Sequence, residues 1–195
     1  ITIKAAITQG AKRGLFSNEA GMGSTPHAHA LADVKKPHDQ GVVAMIGVFI
    51  DTFIVLTLTA LVIVSTGVWN SGLTGAELAQ SAFCSVFGSF GNIFIAVCMF
   101  FFAFSTILSW NMFGKINVIY LFGKKNSKTC SVVYTVIALV FIFLGTLASN
   151  DLGWELTDAF NYLMVLPNAI ALFALTGIVV KCAKEGIEKK NAAKK

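Results

Sequence analysis

The sequence predicts an all-α polytopic membrane protein, and three observations carry the prediction. Of 195 residues, 55% are hydrophobic and 13% charged, about half the charged share usual in soluble domains; mean hydropathy is +0.73. The apolar residues form four uninterrupted blocks instead of one stripe per helix, each near the roughly 20 residues that cross a hydrocarbon core of about 30 Å. The connections between blocks alternate between basic and non-basic, the pattern that orients a multi-pass protein. In–out alternation of the kind a transmembrane barrel needs is missing from the blocks.

The N-terminal segment is the exception to the block pattern. It carries Gly10, Gly14, Gly21, Gly23 and Pro26 among frequent Ala, Leu and Phe. A membrane helix broken in its middle reads this way, over residues 2–34. One half runs from Thr2 to Leu15. The other takes Ser24 as N-cap and Pro26 in its first turn and continues to Leu31. Phe16 to Gly23 lie unwound between them. A glycine-rich cytoplasmic loop is the alternative that spacing leaves open.

The apolar blocks predict spans over residues 42–66, 92–118, 130–147 and 156–180. Between the first two, Thr74 and Glu77 form a capping-box pattern, and Ala76, Ala79, Phe83 and Phe87 recur at helical spacing. A short extracellular helix over 75–87 is expected there, with a plain loop as the alternative. Lys35 and Lys36 precede the first span, and Lys115, Lys124, Lys125 and Lys128 lie around the second basic connection. Lys181, Lys184, Lys189, Lys190, Lys194 and Lys195 follow the last span. The stretch from Gly67 to Gly91 has no Lys or Arg, and that from Ala148 to Glu155 carries only the acidic Asp151 and Glu155. The basic side is cytoplasmic. A multi-pass protein of the cell membrane is therefore expected, with a transmembrane domain over 1–182 and a basic cytoplasmic tail over 183–195. The chain starts at Ile1 without a signal peptide, and an upstream segment is expected to be missing.

Unwound backbone inside a membrane survives where it lines a cavity or is buried in protein. There, free carbonyls suit a cation or ammonium group and helix N-termini suit a carboxylate. Ser17, Asn18 and Ser24 add polar groups, while Gly21 and Gly23 permit unusual dihedrals and close approach. In the second span Phe102, Ser105, Thr106, Ser109 and Trp110 share one helix face. They either bond a neighbouring helix or bind sodium together with a backbone carbonyl. Asp51 in the first span and Glu19 in the unwound segment are the candidate functional intramembrane charges, with a structural partner for another helix as the alternative for Asp51. Pro167 with Asn168 marks a kink in the fourth span. Lys12 and Arg13 fall where a membrane helix needs a nearby carboxylate, water or a shallower position. His27, His29 and His38, and Cys84, Cys98, Cys130 and Cys182, have no metal or disulfide spacing. The glycines do not form a dinucleotide fingerprint, because Pro26 takes the third glycine's place. No nucleophile–base pair is visible, so no enzyme and no bound cofactor are expected.

The string from Lys12 to Ala30, KRGLFSNEAGMGSTPHAHA, closely resembles the hallmark segment of the alanine or glycine:cation symporter family. The likeness extends over essentially the whole chain and about the second half of a typical member. It implies the second five-helix repeat of a LeuT-type inverted-repeat transporter, with 2–34 as its broken first helix and 75–87 as its extracellular lid helix. It implies symport of a small neutral amino acid, alanine or glycine, driven by sodium and in some members by protons. By position, Phe16, Ser17, Asn18, Gly21, Gly23, Thr106 and Trp110 look like substrate-site residues. The Phe102 carbonyl with Ser105 and Thr106 looks like the sodium set. Thr25 stands where many relatives have Ala. The partner half of both sites would come from a missing N-terminal half. A channel-like subunit and a non-transporting membrane fragment are the alternatives to a working symporter.

Overall fold

The computed structural model describes residues 2–123 and 126–192, whose regular elements are all helical with no strand among them. Lys124, Lys125, Lys194 and Lys195 of the expected basic segments lie outside the described residues, as do the side chains of Lys189 and Lys190. The helices are α1 (Ile3–Ser17), α2 (Thr25–His29), α3 (Pro37–Thr66), α4 (Gly75–Phe87), α5 (Ser89–Phe122), α6 (Ser127–Leu147) and α7 (Asn150–Ala192). A 3₁₀ turn, Val68–Asn70, follows α3. Four helices among the described residues are long and apolar enough to cross a membrane: Pro37–Thr66, Ser89–Phe122, Ser127–Leu147 and Asn150–Glu188. An all-helical polytopic membrane protein follows from them.

Each helix exceeds its apolar block because polar residues extend it beyond the hydrocarbon. Asp151 and Glu155 sit in the first turns of α7 and not in a loop, and Lys115 lies inside α5. The helix also continues through the expected tail to Ala192, where Ala, Lys and Glu are strong helix formers. α3 is interrupted between Phe49 and Leu56 by a π-helical segment, Ile50–Val55. Asp51 stands in that segment. Such π-turns concentrate at functional positions of helices.

The chain divides into two compact units, Ile1–Val48 with Phe113–Lys195, and Phe49–Met112. In the first unit α1 lies against α7. Phe16 meets Trp154 edge-on at 6.2 Å, and the Arg13 guanidinium stacks over the same Trp154 at 4.3 Å. Gly114 of α5 faces the Tyr134 ring of α6 so closely that a Cβ would collide with it. Small residues allow this approach where lipid supplies no hydrophobic drive. Gly186 of α7 meets the His38 ring of α3 in the same way.

In the second unit α4 returns against the end of α3. Gly67 ends α3 in the left-handed region at φ +74, a conformation that glycine adopts without strain. Ala82 is fully buried, and Gln80 and Cys84 both donate to Asn92 Oδ1 at 2.8 Å. The capping box at Thr74 does not form: the Thr74 side chain makes no cap hydrogen bond. Gly75 starts α4 at φ +57, so the chain enters from an angle at which the hydroxyl misses the first amides. Most large apolar side chains of α3, α5, α6 and α7 are exposed, as a lipid-facing surface requires.

Candidate functional site

The helix break is shorter than the sequence predicts. α1 runs through Ser17, so Phe16 and Ser17 are helical and only 18–24 leave the ladder. The C-terminal half of α1 is held from outside. Lys12 Nζ pairs with Asp158 Oδ2, and Arg13 Nη1 reaches Asp158 Oδ1 at 3.4 Å. Phe16 against Trp154 completes the anchor. Asp158 is thus the carboxylate beside both cations.

Beyond Ser17 the backbone turns through two left-handed residues, Glu19 at φ +56 and Gly23 at φ +79. For Glu19 this conformation is strained, and such strain clusters at ligand sites. Asn18 Oδ1 accepts from the Ala20 amide at 3.1 Å, an Asx turn that starts the reversal. The Gly23 amide donates to the Glu19 carbonyl at 3.1 Å. The Thr25 hydroxyl donates to the Asn18 carbonyl at 3.3 Å.

Ser24 does not act as the expected N-cap. Its backbone is already helical at φ −80, ψ −31, and its side chain makes no cap hydrogen bond. The hydroxyl instead donates to the Glu19 carboxylate at 3.0 Å, and Ser24 is 1% exposed. The left-handed Glu19 turns its side chain back over the segment, which competes for that hydroxyl. α2 is correspondingly brief and ends at His29, short of Leu31. Glu19, a candidate intramembrane charge, is thus a fastener of the break in this structure.

Asn168 supplies the contact that the sequence did not predict. Its Nδ2 donates to the carbonyls of both Ala20 and Gly21, each at 3.0 Å. A Cβ on Gly23 would lie 2.5 Å from Asn168 Oδ1, and one on Gly21 would collide with Leu15. At both positions it is a neighbouring side chain of the protein itself that leaves no room for a Cβ. Asn168 also lines a groove of 660 Å³ with Ala20, Thr25, His29, Gln40 and Leu172.

The histidines serve as polar ties. His27 Nε2 lies 3.1 Å from Asn117 Nδ2, its Nδ1 lies 3.1 Å from the Ser24 carbonyl, and its ring packs at 5.4 Å on buried Phe113. His29 Nδ1 lies 2.6 Å from Gln40 Nε2. No group of three metal-ligating side chains exists among the described residues.

Phe102, Ser105, Thr106 and Trp110 belong to the second unit, whereas Phe16 to Gly23 belong to the first. On α5 the Ser105 hydroxyl donates to the Phe102 carbonyl at 3.1 Å. This is the ordinary back-bond of a helical serine to its preceding turn. Phe102, Ser105 and Thr106 are exposed, and Ser109 and Trp110 are half-buried. Asp51 and Thr52 are half-buried in the π-helical segment of the same unit.

Sequence reasoning missed Asp158 and Asn168 as partners of the break. A signal existed for each: Asp158 is an acid inside a predicted span, and Asn168 directly follows Pro167. Their partners lie 145 and 148 residues away in the chain, a separation no local pattern encodes.

A family model described as the sodium:alanine symporter family matches residues 1–195. The chain is 39% identical over 197 residues to the sodium/alanine symporter AgcS of Methanococcus maripaludis, covering 98% of this chain and 42% of that protein. It is 37% identical over 191 residues to the probable sodium/glutamine symporter GlnT of Bacillus subtilis, covering 97% and 39%. With an uncharacterized transporter of Haemophilus influenzae it shares 39% identity over 187 residues, covering 95% and 40%. The chain thus spans about two-fifths of the length of these curated relatives.

Proposed function

We propose a function from the premise that the chain belongs to the sodium:alanine symporter family: it is the C-terminal half of a transporter that carries a small neutral amino acid, alanine or glycine, into the cell with sodium. In this reading it is the second five-helix repeat of a LeuT-type fold, and the first repeat supplies the other half of each site. The protein sits in the cell membrane with the C-terminus cytoplasmic. It performs no covalent chemistry and needs no cofactor beyond the coupling ion.

The observation that supports the reading best is the break at 18–24. It interrupts a helix of a membrane protein, holds two left-handed residues, and is tied down by Asp158 on one side and Asn168 on the other. The carbonyl end of α1 suits the cargo's ammonium group, and amides beyond the break suit its carboxylate. Phe16, Ser17, Asn18, Gly21 and Gly23 bind the cargo together with Thr106 and Trp110. The Phe102 carbonyl, Ser105 and Thr106 bind sodium. Sodium occupancy favours the outward-facing state, cargo binding follows, and rocking of a helix bundle opens both to the cytoplasm.

The test is uptake of labelled alanine by vesicles carrying the full-length transporter that contains this segment. Uptake should saturate, be competed by glycine and collapse when choline replaces sodium at constant pH. Uptake unchanged in choline removes the sodium coupling and leaves a proton as the coupling ion. Alanine-independent, non-saturating currents would instead identify a channel-like subunit.

A further inference from the structure

We propose that Asn168 is a positioning residue for the cargo site, setting the conformation of the broken segment from α7. The inference rests on the functional reading above and goes beyond it by assigning a residue to the site from a different span. Three contacts converge on one carboxamide. Nδ2 donates to the Ala20 and Gly21 carbonyls, and Oδ1 lies 2.5 Å from where a Gly23 Cβ would be. The carboxamide therefore engages both sides of Met22, which is 2% exposed. Both donor hydrogens of the amide are used, so the arrangement is specific to Asn or Gln chemistry.

The carbonyls it engages would otherwise turn freely, because a segment outside the helical ladder has no neighbouring amide to fix them. Four further ties in the segment are local: Asn18 to Ala20, Gly23 to Glu19, Ser24 to Glu19, Thr25 to Asn18. Those close the turn on itself. Asn168 joins that turn to a membrane span. Its position directly after Pro167 fits the role, since Pro cannot donate to the Leu163 carbonyl and relaxes the helix at that level. Asn168 also borders the 660 Å³ groove, so the tie is made at an open face and not in a sealed core. A shift of α7 at this point changes which way the Ala20 and Gly21 carbonyls aim, and the pocket's polar groups move with them.

The test compares the full-length transporter with Asn168→Asp and Asn168→Gln at matched membrane abundance. Asn168→Asp keeps the shape and replaces the donor with an acceptor facing two carbonyls. Loss of two hydrogen bonds predicts a rise of about tenfold or more in KM for alanine. Vmax should change less than KM. Asn168→Gln retains the donor and should lie between wild type and Asn168→Asp. Hydrogen exchange of the peptide covering 18–24 is read on the same samples without cargo, and Asn168→Asp should speed it. KM within twofold of wild type for both variants overturns the proposal, even if stability or Vmax falls. If wild-type uptake proves independent of sodium and alanine, the functional reading fails. Unchanged exchange in Asn168→Asp then rejects the tie itself.

Discussion

Replacing Asp158 by Asn removes a carboxylate that serves two cations, and the structure sets the size of the loss. Lys12 and Arg13 carry two positive charges against one negative, so the cluster goes from +1 to +2. For Arg13 at 3.4 Å, the bare attraction is about 5 kcal/mol at an effective dielectric constant of about 20. The Arg13 side chain is 44% exposed, which reduces its share to about 1 kcal/mol. Lys12 and Asp158 are 21% and 15% exposed, between a surface pair and a buried one, and that contact contributes about 2 kcal/mol. The cation–π contact of Arg13 with Trp154 survives the substitution. Asp158→Asn therefore costs about 3 kcal/mol, equivalent to about 6–12 °C in melting midpoint for a domain of this size. The decisive measurement is a cycle with Lys12→Met, read as the thermal midpoint in detergent by fluorescence-detected size exclusion. Lys12 without Asp158 is a liability, so the double variant should be about 1–2 kcal/mol more stable than the sum of the single losses predicts. Additive shifts, or no shift for Asp158→Asn, refute the role given to the cluster.

Three further outcomes are expected. Gly23→Ala should cut uptake severely, because the new Cβ meets Asn168 Oδ1 at 2.5 Å in a backbone at φ +79, at about 1–3 kcal/mol for strain alone; Gly10→Ala, with nothing within 4 Å, should stabilise α1 by up to about 1 kcal/mol, and equal effects would contradict the geometry. Gly91→Ala should lower the thermal midpoint sharply, since its Cβ would meet the Phe83 backbone carbonyl at 2.6 Å and backbone cannot step aside. Ser105→Ala removes a hydroxyl beside the Phe102 carbonyl and should raise the sodium concentration for half-maximal uptake more than the KM for alanine at saturating sodium; an alanine effect alone would move Ser105 out of the ion set.

The helices were legible because their signals are one-dimensional. Each span is an apolar run, and α4 shows itself by the recurrence of Ala76, Ala79, Phe83 and Phe87. Features that depend on a residue's conformation were read less well. Thr74 and Ser24 are both good N-cap residue types, yet neither caps, because Gly75 enters its helix left-handed and Glu19 turns back to take the Ser24 hydroxyl. The π-helical segment at Ile50–Val55 has no Gly or Pro to announce it. Charge alone marks Asp51 in the sequence; the change of helix winding there is a feature of the fold.

The site divides along the same line. Gly21 and Gly23 could be picked from sequence because glycine marks a backbone with unusual demands. What makes the demands, Leu15 and Asn168, could not. The distinction bears on how the break is stable at all. An unwound turn in a membrane leaves carbonyls that must find donors, at a cost of several kcal/mol for each one left unmet. Four of those in 18–24 are met by Thr25, Gly23 and the two hydrogens of Asn168. Two of the four donors come from a single distant side chain, so the break cannot close its own polar balance. A broken helix of this kind is stable only as a pair with α7, and any motion that separates the two must offer the Ala20 and Gly21 carbonyls another partner, whether water or a cation.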